Sequence, residues 1–169
     1  KLIYKLPSLN NLTSVWFLDL RITDHQGREI DNNFYWLSRK EDVLDYEAAA
    51  KLPWAFYTPA KQYSDFSGLD RLPEVKPEYT YGFEKTDNIG VVKLKVKNPS
   101  ETIAFFLYFD IVQKNTSQPV LPVYWDDNYI TLLPGEERIF EAYYFLSDTD
   151  GTRPELEISG WNVKKTTLK

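Results

Sequence analysis

Cysteine and methionine are both missing from the 169 residues, and histidine occurs once, as His25. Without cysteine the chain can form no disulfide, use no thiolate nucleophile and build no thiolate metal site, and its redox compartment stays open. With no second histidine beside it, His25 is read as an exposed loop residue and not as a base or a metal ligand. No apolar run approaches the roughly 20 residues of a membrane-spanning helix, and the opening KLIYKLPSLN lacks the apolar centre of a signal peptide. Basic residues number 20 against 25 acidic ones, a net charge of −5. That balance gives no electrostatic reason to hold a polyanion, so neither nucleic acid nor a membrane is expected as a partner. A chain that starts at Lys1 and holds no methionine is expected to be a processed product or an excised piece of a longer polypeptide.

What is present is apolar and aromatic: 43% of the residues are hydrophobic, and Phe, Trp and Tyr make up 16% of the chain. That content fills one ordinary domain, or one domain and part of another. Trp16, Leu18, Leu20 and Ile22 alternate with Phe17, Asp19 and Arg21, the period of a strand with one buried face. TDHQGREID turns the chain at Asp24 and Gly27, and Ile30, Phe34 and Trp36 return on one face, so residues 15–37 read as a β-hairpin. SRKE then matches a helix capping box at Ser38, and DVLDYEAAAK offers good helix formers with Glu47 and Lys51 four apart. The following LPWAFYTPAKQYSDFSGLDRLP is bracketed by prolines and shows no sustained period; its aromatics mark a packed, irregular connector.

Beyond Pro73 strand grammar resumes. Val75, Tyr79, Tyr81 and Phe83 alternate, as do Val92, Leu94 and Val96 with Lys93, Lys95 and Lys97, and IAFFLYFDIV follows. Further strands are expected at about 129–133, 137–146 and 155–163, which makes about six or seven strands without room for crossover helices. The fold class is therefore all-β: an immunoglobulin-like antiparallel β-sandwich over 73–169, preceded by a β-hairpin within 1–40 and a packed connector over 41–72. Val92, Leu94, Val96, Phe105, Leu107, Phe109 and Phe140 are its expected core. The lysine ladder is read as a solvent face that also protects an edge.

No nucleophile–base set, phosphate loop or metal cluster can be assembled, and no cofactor is expected. DTDG at 148–151 lacks the later ligands of a calcium loop and reads as a turn. NLT at Asn11 and NTS at Asn115 are glycosylation sequons in form only. A glycosidase acid pair needs carboxyls roughly 5–9.5 Å apart on one side of a sugar, whereas Asp126 and Asp127 are adjacent and, if extended, point to opposite faces. The cluster Trp125, Asp126, Asp127, Asn128 and Tyr129 still stands out as a candidate substrate-binding loop at one end of the sandwich, with stacking faces beside hydrogen-bonding groups. Two readings of it stay open. It could face sugar, or Trp125 could plug the sandwich while Asp127 and Asn128 cap backbone N–H groups and Tyr129 starts the next strand.

NNFYWLSRKEDVLDY, WAFYTPAKQYSDFSGLDRLP, VYWDDNYITLLPGE and EISGWNV, in that order, resemble the C-terminal part of family 2 glycoside hydrolases of the exo-β-D-glucosaminidase and β-mannosidase type. The resemblance runs from about Trp16 to Val163. It implies a parent with a sugar-binding-like domain, a (β/α)₈ barrel carrying two catalytic glutamates, and several immunoglobulin-like domains, of which this chain is the end of one and the whole of the next. It implies that the catalytic glutamates lie outside this chain, that its partners are the remaining domains of the glycosidase, with carbohydrate as a further candidate, and that the parent is periplasmic or secreted. The expected function is a non-catalytic accessory sandwich. The alternatives are an autonomous carbohydrate-binding module, with Trp54, Tyr57, Trp125 and Tyr129 as a stacking platform, and a pure interdomain scaffold.

Overall fold

The computed structural model describes residues 5, 12–52 and 56–169. Trp54 and Asn11 fall outside them. The chain divides into two compact units, 1–71 and 72–169.

In the first unit β1 (Val15–Thr23) and β2 (Glu29–Ser38) form an antiparallel hairpin. Its tip is built by Asp24, whose carboxylate accepts from the amides of Gln26 at 2.8 Å and Arg28 at 2.9 Å. His25 is exposed in this turn. The register corrects the expectation of one apolar face. Val15, Phe17, Phe34 and Trp36 lie on one side, and Trp16, Leu18, Leu20, Ile22, Tyr35 and Leu37 on the other. Phe17 and Phe34 rings meet at 5.5 Å, and Val15 is buried, as is Leu69 of a 3₁₀ turn at Ser67–Arg71. Ile30, expected beside Phe34, falls where the register shifts and is 66% exposed, with Ile22 at 60%. Two-sided apolar patterning on two strands leaves surface that the hairpin cannot cover by itself.

The capping box at Ser38 does not form. Ser38 closes β2, and its hydroxyl accepts from the amides of Lys40 and Asp65. The helix starts later, as α1 (Tyr46–Ala50), capped by Asp45, whose carboxylate accepts from the Ala48 amide at 2.9 Å. It is flanked by β3 (Val43–Leu44) and β4 (Ala60–Gln62), which pair antiparallel. Between them these two short strands leave the described part of the connector without a regular period.

The second unit is a sandwich of two four-stranded antiparallel sheets. One contains β5 (Glu78–Thr86), β6 (Ile89–Lys97), β10 (Glu137–Phe145) and β8 (Val123–Trp125), in that order. The other contains β12 (Val163–Leu168), β11 (Glu155–Gly160), β7 (Ala104–Val112) and β9 (Ile130–Leu132). Alternation builds the core directly: Val92, Leu94 and Val96 of β6 lie beside Phe140, Ala142 and Tyr144 of β10, and together they face the inner side chains Leu107, Phe109 and Ile111 of β7. All seven residues expected in the core are buried.

Three details differ from the sequence reading. The run expected as one strand over 155–163 is two, β11 and β12, folded back at Trp161 and Asn162. β8 reaches Trp125, which shortens the loop at the sandwich end to 126–129. The lysine ladder lies on an interior strand, not an edge: β6 is hydrogen-bonded on both sides, and Lys93 and Lys95 pair with Glu84 and Glu137 of its neighbours. Cross-strand opposite charges of this kind support a sheet while keeping its outer face wet.

Three asparagines hold segments that the ladders do not. Asn98 is fully buried and donates to the carbonyls of Thr102 and Leu132 while accepting from the Ser100 amide. Asn162 accepts from the amide of Phe105 at 2.8 Å and donates to the carbonyls of Pro73 and Ile103. Asn128, the third, belongs to the loop at the sandwich end.

Candidate functional site

The loop at 126–129 joins the edge strands of opposite sheets, β8 and β9. Each of its polar side chains hydrogen-bonds the next backbone amide: Asp126 accepts from Asp127 at 2.8 Å, Asp127 from Asn128 at 2.9 Å and Asn128 from Tyr129 at 2.9 Å. Short Asx side chains are suited to this, because they offer the backbone local partners that a strand ladder would otherwise supply. Asn128 also grips β7, accepting from the Phe109 amide and donating to the Phe109 carbonyl, both at 2.9 Å. It stands in for a missing strand partner. Asp127 is salt-bridged to Arg138 at 2.8 Å, and the guanidinium lies over the Phe140 ring.

The two aromatics of the cluster point to different places. Trp125 packs its ring 5.4 Å from Phe109, against the core. Tyr129 is 55% exposed and stacks on Tyr108 at 5.1 Å with an interplanar angle of 26°. Its other neighbour is Phe106, at 5.3 Å. Tyr129 and Phe106 both adopt left-handed backbone, φ 57° and φ 55°. For residues with a Cβ that conformation costs about 1–2 kcal/mol each, and it is normally given to Gly or Asn. In β7 it coincides with a break in register between Ala104 and Leu107.

Behind this pair the outer face of the sheet turns acidic. The Tyr108 hydroxyl donates to Asp110 at 2.8 Å, and the tyrosine's pKa is pushed up to about 12, by burial first and by that hydrogen bond second. Burial also raises the carboxyl of Asp110, with Glu157 adding like charge. Glu157 is itself paired with Lys165 at 2.6 Å. Phe106, Tyr108 and Asp110 were not singled out in the sequence, where IAFFLYFDIV reads as a strand with Phe105, Leu107 and Phe109 in the core. The outward period of β7 was the available signal.

Of the platform Trp54, Tyr57, Trp125 and Tyr129, Trp54 lies outside the described residues, Tyr57 is exposed in the first unit, and Trp125 is committed to the core. At 148–151 the turn is closed locally: Asp150 accepts from the Thr152 amide and from the side chain of Asn115, the residue that opens the NTS sequon.

Two facing antiparallel sheets, with polar links across their ends, define an immunoglobulin-like β-sandwich. The sequence model of the exo-β-D-glucosaminidase Ig-fold domain matches residues 55–163, and the chain belongs to that family. Over 166 residues it is 33% identical to an exo-β-D-glucosaminidase of Streptomyces avermitilis and 32% identical to one of Amycolatopsis orientalis, in each case across 96% of this chain. The crystal structure of the Amycolatopsis orientalis exo-chitosanase CsxA superposes with a TM-score of 0.86 at 32% identity, again over 96% of this chain. The chain spans only 18% and 16% of the two curated relatives and 19% of the CsxA chain.

Proposed function

We propose that this chain is a non-catalytic accessory module of an exo-acting β-glycosidase of the glucosaminidase type, and that its loop at 126–129, with Trp125 behind it, lends one wall to the substrate cleft. The observation that carries the reading is the pairing of near-complete coverage of this chain with under a fifth of each relative. The carboxylates of the loop support it: Asp126 and Asp127 are adjacent, and Asp127 is already neutralised by Arg138. Such a pair is suited to orienting a ligand or a loop, not to acid–base work across a glycosidic bond. The apolar side chains left open on the β1–β2 hairpin are, on this reading, contacts for other domains of a longer polypeptide.

The test is a paired measurement on the full-length polypeptide. Trp125→Ala should lower the melting temperature, because the ring is packed on Phe109. Asp126→Asn should leave melting unchanged and reduce kcat/KM on glucosamine oligomers by about tenfold, worth about 1.4 kcal/mol of transition-state stabilisation. An Asp126→Asn enzyme with unaltered kcat/KM overturns the cleft role.

A further inference from the structure

The outer face of the β12-β11-β7-β9 sheet holds a group of side chains whose arrangement has no evident use in the fold. Two left-handed aromatic residues, Phe106 on β7 and Tyr129 in the loop just before β9, bring their rings together at 5.3 Å. The position before Tyr129 is an asparagine, the residue that tolerates left-handed backbone best after glycine, yet the left-handed turn falls on the tyrosine. Strain held at a bulky residue points to a use for its side chain. That side chain lies in the open, stacked on Tyr108, with the Asp110 carboxylate hydrogen-bonded to the Tyr108 hydroxyl. On this face Lys165 is paired with Glu157 and acts on Asp110 as well, so two carboxylates against one lysine leave a residual negative charge.

We propose that Tyr129 and Tyr108 form a stacking shelf, with Asp110 as its anionic end, that takes one pyranose residue bearing a protonated amine; this rests on the reading that the 126–129 loop meets carbohydrate. The C–H face of a pyranose packs on an aromatic ring, as apolar surface does. A cation at the ring edge gains from the face of a tyrosine and from a carboxylate within reach. An uncharged sugar satisfies the first contact and not the second. The shelf thus selects the amino sugar by charge and holds the ring by stacking. Asp110 is suited to this because its burial leaves its charge poorly hydrated, so an incoming cation replaces little water.

The experiment titrates the 169-residue chain with a β-1,4-linked glucosamine hexamer and, separately, with the glucose hexamer of the same linkage, following backbone amides by NMR. The glucosamine oligomer is expected to shift the amides of Tyr108, Asp110 and Tyr129 and to bind about tenfold more tightly than the glucose oligomer. Asp110→Asn should bring the two affinities together. Tyr129→Gly should weaken both by about tenfold or more while melting at or above the wild-type temperature, because glycine relieves the left-handed backbone. Should that variant melt early, Tyr129→Asn is read in its place. Equal wild-type affinity for both oligomers overturns the amino-sugar assignment and leaves the carbohydrate-facing loop standing. Absence of any shift at millimolar oligomer overturns the shelf, and the cleft role is then decided by the kcat/KM of Asp126→Asn in the full-length polypeptide. Wild-type binding by the folded Tyr129→Gly or Tyr129→Asn chain overturns the shelf.

Discussion

Replacing Asn162 by alanine should be among the most damaging single changes in the second unit, although the residue is neither apolar nor in a strand. The residue is 8% exposed, and its side chain joins three backbone groups: the Phe105 amide, the Ile103 carbonyl and the Pro73 carbonyl. It fixes the fold-back between β11 and β12 and, through Pro73, the entry of the chain into the sandwich; its own carbonyl accepts from the Val75 amide at 2.8 Å. Alanine removes three hydrogen bonds worth about 1 kcal/mol each, and it leaves the Phe105 amide buried without a partner, so a loss of about 3–4 kcal/mol is expected. In a unit of this size that corresponds to roughly 10–20 °C in melting temperature. Asn162→Asp keeps the acceptor but turns a carboxylate oxygen toward two carbonyls, and should cost at least as much at pH 7. Urea denaturation followed by circular dichroism gives the answer as a lower midpoint at unchanged slope. A loss below about 1 kcal/mol for Asn162→Ala would show that water replaces the clamp and that the reasoning is wrong.

Gly90→Ala should cost about 1–3 kcal/mol in the same assay, because a Cβ there collides with the buried Tyr144 ring; an unchanged midpoint would mean the ring moves aside freely. Burial raises the folded-state pKa of Asp110 above its unfolded value, so its charge costs stability as pH rises from the ordinary carboxylate range to the raised value, and the cost stays constant above it. Asp110→Asn should therefore be more stable than wild type at pH 7, with the difference fading as pH falls below the ordinary carboxylate range; a difference independent of pH would contradict the assignment. The isolated chain should self-associate through the β1–β2 hairpin, and a double Ile22→Thr, Ile30→Thr variant should reduce that association in analytical ultracentrifugation without loss of the sandwich, whereas unchanged association would place the sticky surface elsewhere.

The sandwich was legible wherever one face of a strand is buried and the other wet, because a period of two is then written into the chain. β6 is the clearest case, with Val92, Leu94 and Val96 against the lysines. The fold-back at Trp161 and Asn162 was missed although Gly160 and Asn162 are turn formers, because the alternating apolar run continues to Val163 and the turn is held by the Phe105 amide donating to the Asn162 side chain, 57 residues away. Ser38 shows the reverse error: a local capping signal was present, but strand pairing with Val15 took the residue first. At the candidate site the Asx-rich loop was visible in sequence, and so were both of its possible uses. The partner of Tyr129 was not, because Tyr108 lies on another strand and the left-handed backbone that joins them falls on aromatics, where no sequence rule expects it.

The claim that this chain serves a glycosidase without performing its chemistry is tested most directly by the hydrolysis of p-nitrophenyl β-D-glucosaminide, measured on the 169-residue chain and on the full-length polypeptide side by side. The account predicts turnover by the full-length polypeptide and none above a buffer blank by the isolated chain at any pH. Turnover that co-purifies with the isolated chain through a second, independent chromatography step would contradict it.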